Sequence, residues 1–338
     1  MTLALIQSYP RLWSLDSGTA MVVTDLHGDW EAYQRYRDRF VGLQTKGQAD
    51  CLILTGDLIH RDAPTYPDSS LEIVLDVISL QETFGKAIIC LCGNHELPHI
   101  YGFGLGKGEV EYTPDFEFAL SKISRRSTII NFFCSLPFFI RTAAGVSLTH
   151  AGASKLMAKE QDALELFTWS HQDQLAKADA WLADKDIDGL RRAYAKLSQA
   201  ESYDALVKHY LSVTGVDDPR YDDLLRSFAA TTSTEFQLVH SALFTKCERE
   251  YGLAEYTTML ANALQHLSVG YMPQQILVAG HMTIADGHEI IARRHLRLAS
   301  GCHATPHEAG LYLLFDTSRL FEEASDLQAN LHSVYDAT

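Results

Sequence analysis

Three apolar runs in the first hundred residues end alike. Ala20–Gly28 reads AMVVTDLHG, Cys51–His60 reads CLILTGDLIH and Ala87–Glu96 reads AIICLCGNHE. Each is a short run of Val, Ile, Leu or Cys that breaks into a polar cluster containing glycine. Near-continuous apolar runs suit strands buried on both faces, so strands are predicted at Ala20–Thr24, Cys51–Thr55 and Ala87–Cys92. Two more runs, Phe138–Arg141 and Val146–Thr149, lead into His150-Ala151-Gly152. Helix-like stretches separate most of these runs, the alternation of an α/β fold.

Further on, the period changes. Leu175, Ala178, Trp181 and Leu182 recur at helical spacing, as do Leu190, Tyr194 and Leu197. Phe236, Val239 and Leu243 repeat it behind Thr232 and Glu235, which have capping-box spacing, and Tyr256, Leu260, Leu264 and Leu267 form another stripe. Gly189 and Asp217–Pro219 read as breaks. Strands return at Gln275–Ala279, Glu289–Ala292, Leu296–Ala299 and Leu311–Phe315, with turn residues between them, which predicts an antiparallel meander. The expected organisation is an α/β core of residues 1–153 and 271–338 around a helical insert of 154–270. The polar tail after Asp316 is expected to pack as a short helix.

At 338 residues the chain can bury a large core, and 46% hydrophobic with 21% charged residues is ordinary for a soluble globular protein. No apolar run approaches the roughly 20 residues of a membrane span, and the N-terminus lacks the pattern of a secretory signal, so the expected location is cytoplasmic. A net charge of −15 with no basic stripe argues against nucleic-acid and anionic-membrane partners. Six cysteines without zinc-ribbon spacing read as reduced thiols, mostly buried. The acidic charge does not exclude a phosphorylated substrate, because bound divalent cations would reverse the local field.

Loops beyond the carboxyl ends of strands are the usual ligand sites of open α/β sheets, since the strands hold several loops side by side. Five such loops each deliver Asp, Asn or His beside a glycine. The donors are oxygen and nitrogen with no thiolate, which suits manganese, iron or zinc in a reactive site rather than a cysteine-bound structural zinc. Gly93-Asn94-His95-Glu96 is far rarer by chance than Asp25-Leu26-His27. A lone His150 or His281 would more often be a core histidine, but the place of each beside a glycine at a strand end favours ligation.

The ordered set Asp25-x-His27-Gly28, Gly56-Asp57-x-x-x-Arg61, Gly93-Asn94-His95-Glu96, His150-Ala151-Gly152 and Gly280-His281 resembles the calcineurin-like metallophosphoesterase superfamily. It is most similar to the branch of serine/threonine protein phosphatases and their bacterial relatives, which includes diadenosine tetraphosphate hydrolases. The likeness covers residues 20–152 and about 275–316. It implies a four-layer αββα sandwich carrying the helical insert as a lid or substrate-selecting region. It further implies that Asp25 and His27 hold a first metal, that Asp57 bridges, and that Asn94, His150 and His281 complete a second. The cofactor expected is two divalent ions, manganese foremost, with Fe, Zn, Co or Ni as the other candidates. Such a pair, roughly 3.5–4 Å apart, generates a bridging hydroxide that attacks phosphorus in line. His95 is the candidate acid for the leaving oxygen. Arg61, with Asn94, is the candidate grip on phosphate.

The chain departs from the family pattern in three places. His60 stands where an Asp is expected to orient the catalytic histidine, and Asp62 rather than Gly follows Arg61, so Asp62 is expected to take over. Met282 and Thr283 follow His281, so no second histidine two residues on can finish the first metal, and water is expected there. Arg220 is the single idea for a second phosphate-binding arginine, though an ordinary loop role is favoured. His288 is expected at the surface. His303 is a candidate substrate contact, weighed against the favoured reading of an exposed loop histidine. The expected function is hydrolysis of phosphomonoesters, on phosphoprotein Ser, Thr or Tyr or on a phosphorylated small molecule. A hydrolase of dinucleoside polyphosphates or other small phosphoanhydrides is the alternative. A non-catalytic metal-binding scaffold is disfavoured, because every proposed ligand and His95 are present.

Overall fold

The computed structural model describes residues 3–62 and 65–335. Two compact units emerge: Met1–Asn94 with Leu136–Trp169 and Leu238–Thr338, and His95–Ser135 with Ser170–Gln237. The helical stretch expected over 154–270 is therefore divided otherwise. Residues 95–135 join the helices, and 238–270 fold with the α/β body. Helix Leu253–Ser268 buries the stripe Tyr256, Leu260, Leu264 and Leu267 there and packs over the strand Ile276–Ala279.

The first unit is built on two sheets. One has the order Leu331–Ser333, Leu311–Asp316, Thr19–Val23, Cys51–Leu54, Ile88–Cys90. Its last three strands are parallel, and Leu311–Asp316 runs antiparallel to Thr19–Val23. The other sheet has the order Leu5–Tyr9, Leu12–Leu15, Phe139–Thr142, Val146–Thr149, Ile276–Ala279, His295–Leu298, His288–Ile291. Val22, Ile53 and Phe315 of one sheet share a fully buried apolar cluster with Leu148, Val278 and Leu296 of the other. Helix Trp30–Thr45 packs against Cys51–Leu54 through Ala32, Tyr33, Tyr36 and Phe40, and helix Ser70–Phe84 covers Ile88–Cys90. With helix Leu253–Ser268 over the strand Ile276–Ala279 of the other sheet, helix, sheet, sheet and helix form the expected αββα layering.

The expected meander does not form. Ile276–Ala279 and His295–Leu298 are parallel, only His288–Ile291 and His295–Leu298 make a hairpin, and Leu311–Asp316 crosses to the other sheet. Burial explains why sequence spacing misled. All four residues of His295–Leu298 are buried although two are polar, whereas the edge strand His288–Ile291 is mostly half-buried. His288 accordingly stays near solvent. Leu5–Tyr9 and Leu12–Leu15 were not predicted, and the tail forms a 3₁₀ turn over Ala324–Asn330 and then an edge strand.

The second unit is helical apart from the short pair Gly106–Lys107 and Val110–Glu111. Gly189 is not a break. It lies in the first turn of helix Ile187–Leu197, where its amide donates to Oδ1 of Asp186 at 3.0 Å. Thr232 closes the helix before Phe236–Leu243, and Ser233 Oγ accepts the Phe236 amide at 3.1 Å. Arg220 is a tie within this unit: its guanidinium lies 3.2 Å from buried Glu117, which His99 Nδ1 also meets at 2.8 Å. That is a loop arginine anchored by a buried carboxylate.

Candidate metal centre

The strand ends turn sharply. Ten non-glycine residues among those described take positive φ, and Asp25 (30°), His27 (45°), Asp57 (52°), His60 (69°) and His281 (70°) are half of them. Left-handed backbone is unfavourable for side chains and persists only where the surroundings impose it, so such a cluster marks a site. Two glycines allow the loops to close in. A Cβ on Gly56 would collide with the backbone of Gly93, and one on Gly280 with the carboxylate of Asp25.

Backbone carbonyls aim the histidines. A carbonyl only accepts, so His150 Nδ1 donates to the Thr55 carbonyl at 3.0 Å and His27 Nδ1 to the His60 carbonyl at 3.0 Å. Each ring then presents Nε2 inward. His27 Nε2 lies 3.5 Å from Asp57 Oδ2, and His150 Nε2 lies 3.4 Å from the same oxygen. His150 Nε2 also sits 2.9 Å from Asn94 Oδ1 and 3.1 Å from His281 Nδ1. Both carboxylate oxygens of Asp25 accept the His281 amide, at 2.9 Å each. Asp25, His27, Asp57, Asn94 and His150 are buried, and His281 is half-buried. All six proposed ligands are thus brought together.

The donor set fits divalent cations. Asp57 Oδ2, Asn94 Oδ1 and the His150 Nε2 lone pair are acceptors turned toward one another, an arrangement that a cation resolves. Desolvation, then the neighbouring His150, holds the His281 imidazole well below its ordinary pKa and so neutral. Burial, and then His303, lowers His27 as well. Burial alone would raise Asp25, but the neighbouring His303 brings it down to about 2. Burial likewise opposes charge on His303, yet Asp25 and Asp62 raise it to about 9. Asp57, His150 and His281 place donor atoms within 4.8 Å of one another, and so do His27, Cys302 and His303.

The remaining predicted residues are placed as follows. His303 is not an exposed loop residue; it is 6% exposed, with its ring 4.7 Å from that of His27. Asp62 stands against it, Oδ2 lying 3.5 Å from His303 Nε2. His60 turns its side chain into the interior, and its amide donates to Ser70 Oγ at 2.8 Å. Arg61 is exposed and donates to the Tyr66 carbonyl at 3.2 Å. His95 opens the second unit directly after Asn94, its ring centroid 4.9 Å from that of Tyr112. Sequence reasoning missed Arg297. It is fully buried, donates to the Gly280 carbonyl at 2.6 Å and pairs with Glu248 at 2.5 Å. An arginine in a strand reads as solvent-facing, and nothing else in the sequence signals this one.

The chain belongs to the calcineurin-like phosphoesterase family, whose model matches residues 18–234. It is accordingly a metal-dependent hydrolase of phosphoesters. No curated protein matches the sequence. Among solved structures it is similar to a serine/threonine phosphatase of Saccharomyces cerevisiae, itself described as similar to human PP5. That likeness has 12% identity over 98% of this chain and 85% of that one, with a TM-score of 0.53. A cold-active protein-tyrosine phosphatase of a psychrophilic Shewanella is 13% identical over 91% of this chain and 78% of that chain, with a TM-score of 0.43. At 12% identity the likeness to the yeast phosphatase is one of fold. Among the described residues no helix is long and apolar enough to cross a membrane.

Proposed function

We propose that this protein hydrolyses phosphomonoesters, with phosphorylated Ser, Thr or Tyr of proteins or a phosphorylated small molecule as substrate. The observation that carries the reading is the convergence of Asp25, His27, Asp57, Asn94, His150 and His281 from five strand-end loops. Two divalent ions held there, with manganese the first expectation, would supply an activated water and a clamp on phosphate oxygens. Asp57 lies between His27 and His150 and is suited to serve both ions. Asp25 fixes the His281 backbone while keeping its carboxylate charged. His95 is proposed to give a proton to the leaving oxygen. Arg61, whose link to Tyr66 is a single exposed hydrogen bond, can exchange that contact for phosphate. Six free cysteines, four of them buried, agree with a reducing cytoplasmic setting.

The experiment is an assay of manganese-loaded protein on para-nitrophenyl phosphate, a phosphopeptide panel and diadenosine tetraphosphate. Monoester turnover that disappears in Asp57→Asn is expected. Cleavage of the dinucleotide alone would replace this reading with phosphoanhydride hydrolysis, and turnover of none would sink it.

A further inference from the structure

We propose that His303 is a ligand of the first metal, oriented for that task by Asp62. The inference rests on the metal-centre reading above and adds a donor to it. His303 Nδ1 is a buried nitrogen without a hydrogen-bond partner, 3.5 Å from Asp25 Oδ1. That spacing is longer than a good hydrogen bond and close to the separation of neighbouring ligands around one ion. Metal bonds of roughly 2.0–2.2 Å to nitrogen and oxygen put adjacent donors about 3 Å apart or slightly more. The His27 and His303 rings lie side by side, with centroids 4.7 Å apart. His27 and His303, together with Cys302, place donor atoms within 4.8 Å of one another, and Asp25 Oδ1 adjoins the His303 member of that group.

The far side of the ring completes the argument. His303 Nε2 faces Asp62 Oδ2 at 3.5 Å. A carboxylate beyond the outer nitrogen of a metal-binding histidine fixes its tautomer and raises its basicity. With the proton on Nε2, the Nδ1 lone pair points toward Asp25. This also gives a use to Asp62, which the second motif carries in place of a glycine. The loop after His281 brings Met282 and Thr283 and no second histidine. His303, in the loop that follows the strand His295–Leu298, would supply a nitrogen to the first metal in place of the water expected there.

Metal content after dialysis, manganese titration calorimetry and electron paramagnetic resonance test this without relying on turnover. Wild type should hold about two ions with a spin-coupled manganese signal. His303→Ala should keep one and bind the other at least about 100-fold more weakly, leaving an uncoupled signal. Asp62→Asn should weaken the same step about 10- to 100-fold. His303→Asp, which restores an oxygen donor, should regain part of the loss. Circular dichroism melts in chelator should superimpose for wild type and the variants, separating ligand loss from misfolding. Two ions at wild-type affinity in His303→Ala, with only KM raised, would make His303 a substrate contact and overturn the proposal. So would an equal loss in Cys302→Ser, which would assign the donor to sulfur. A wild type that binds no ions would instead sink the metal-centre reading itself.

Discussion

Asp25 serves two purposes at once. Its two oxygens receive the His281 amide, and the same carboxylate is a proposed ligand. Asp25→Asn keeps the volume but swaps an acceptor for a donor that faces the His281 amide. Metal affinity should fall by at least about 10-fold, read by calorimetry, because ligand and orienting contact fail together. A second titrating residue lies away from the metals. Burial raises Asp223 from 3.8 to about 6, and Arg226, although only 2.6 Å away, offsets this incompletely. A raised folded-state pKa gives stability that is fully present below 3.8 and lost as pH rises through about 6. Asp223→Asn should therefore raise the melting temperature at pH 7.5 and leave it unchanged near pH 4. Equal gains at both pH values would contradict this.

At the scale of elements, the site depends on how strands stop. Thr24, Thr55, Cys92, Thr149 and Ala279 are each followed within two residues by a proposed ligand, and positive-φ backbone makes the turn after Thr24, Thr55 and Ala279. Gly56 has φ 97° and packs on Gly93. Gly56→Ala should cost at least about 1 kcal/mol of stability by chemical denaturation and should separate Asp57 from Asn94, lowering metal content as well. These strand ends were legible in the sequence because a buried parallel strand is a plain apolar run with an abrupt polar end. The pairing of the later strands was not legible. A hairpin and a crossover are punctuated by the same turn residues, and buried His295 and Arg297 imitate the alternation of an edge strand.

At the scale of the molecule, the second of the two sheets is tied to the site by charge inside the core. Arg297 joins Glu248, some fifty residues away in sequence, to the carbonyl just before His281. Removing one partner of a buried pair strands the other, which costs roughly 3–5 kcal/mol. Glu248→Ala should lose about that much in denaturant melts, with loss of one bound metal before global unfolding. A cost under about 1 kcal/mol would mean that the Gly280 carbonyl suffices for Arg297. The division into two units belongs to this scale too. Helical periodicity shows that a helix forms, but not which body its apolar stripe will join.

The sequence by itself determined the α/β class, the strands around the centre and the donor residues at their ends, while the layering and the assignment of six of those donors to a metal pair rested on the family resemblance. The residue-level part depends on local chemistry: an apolar run, a glycine beside a polar residue, an oxygen or nitrogen donor. Only the tertiary structure decided that His303 is buried against Asp25, that Asp62 stands behind it, and that Arg297 braces Gly280. Those contacts join loops more than two hundred residues apart, or neighbouring parallel strands that other strands separate in sequence. Burial converts a surface-like histidine or arginine into part of the centre, and burial is a property of the assembled sheets rather than of any stretch of chain.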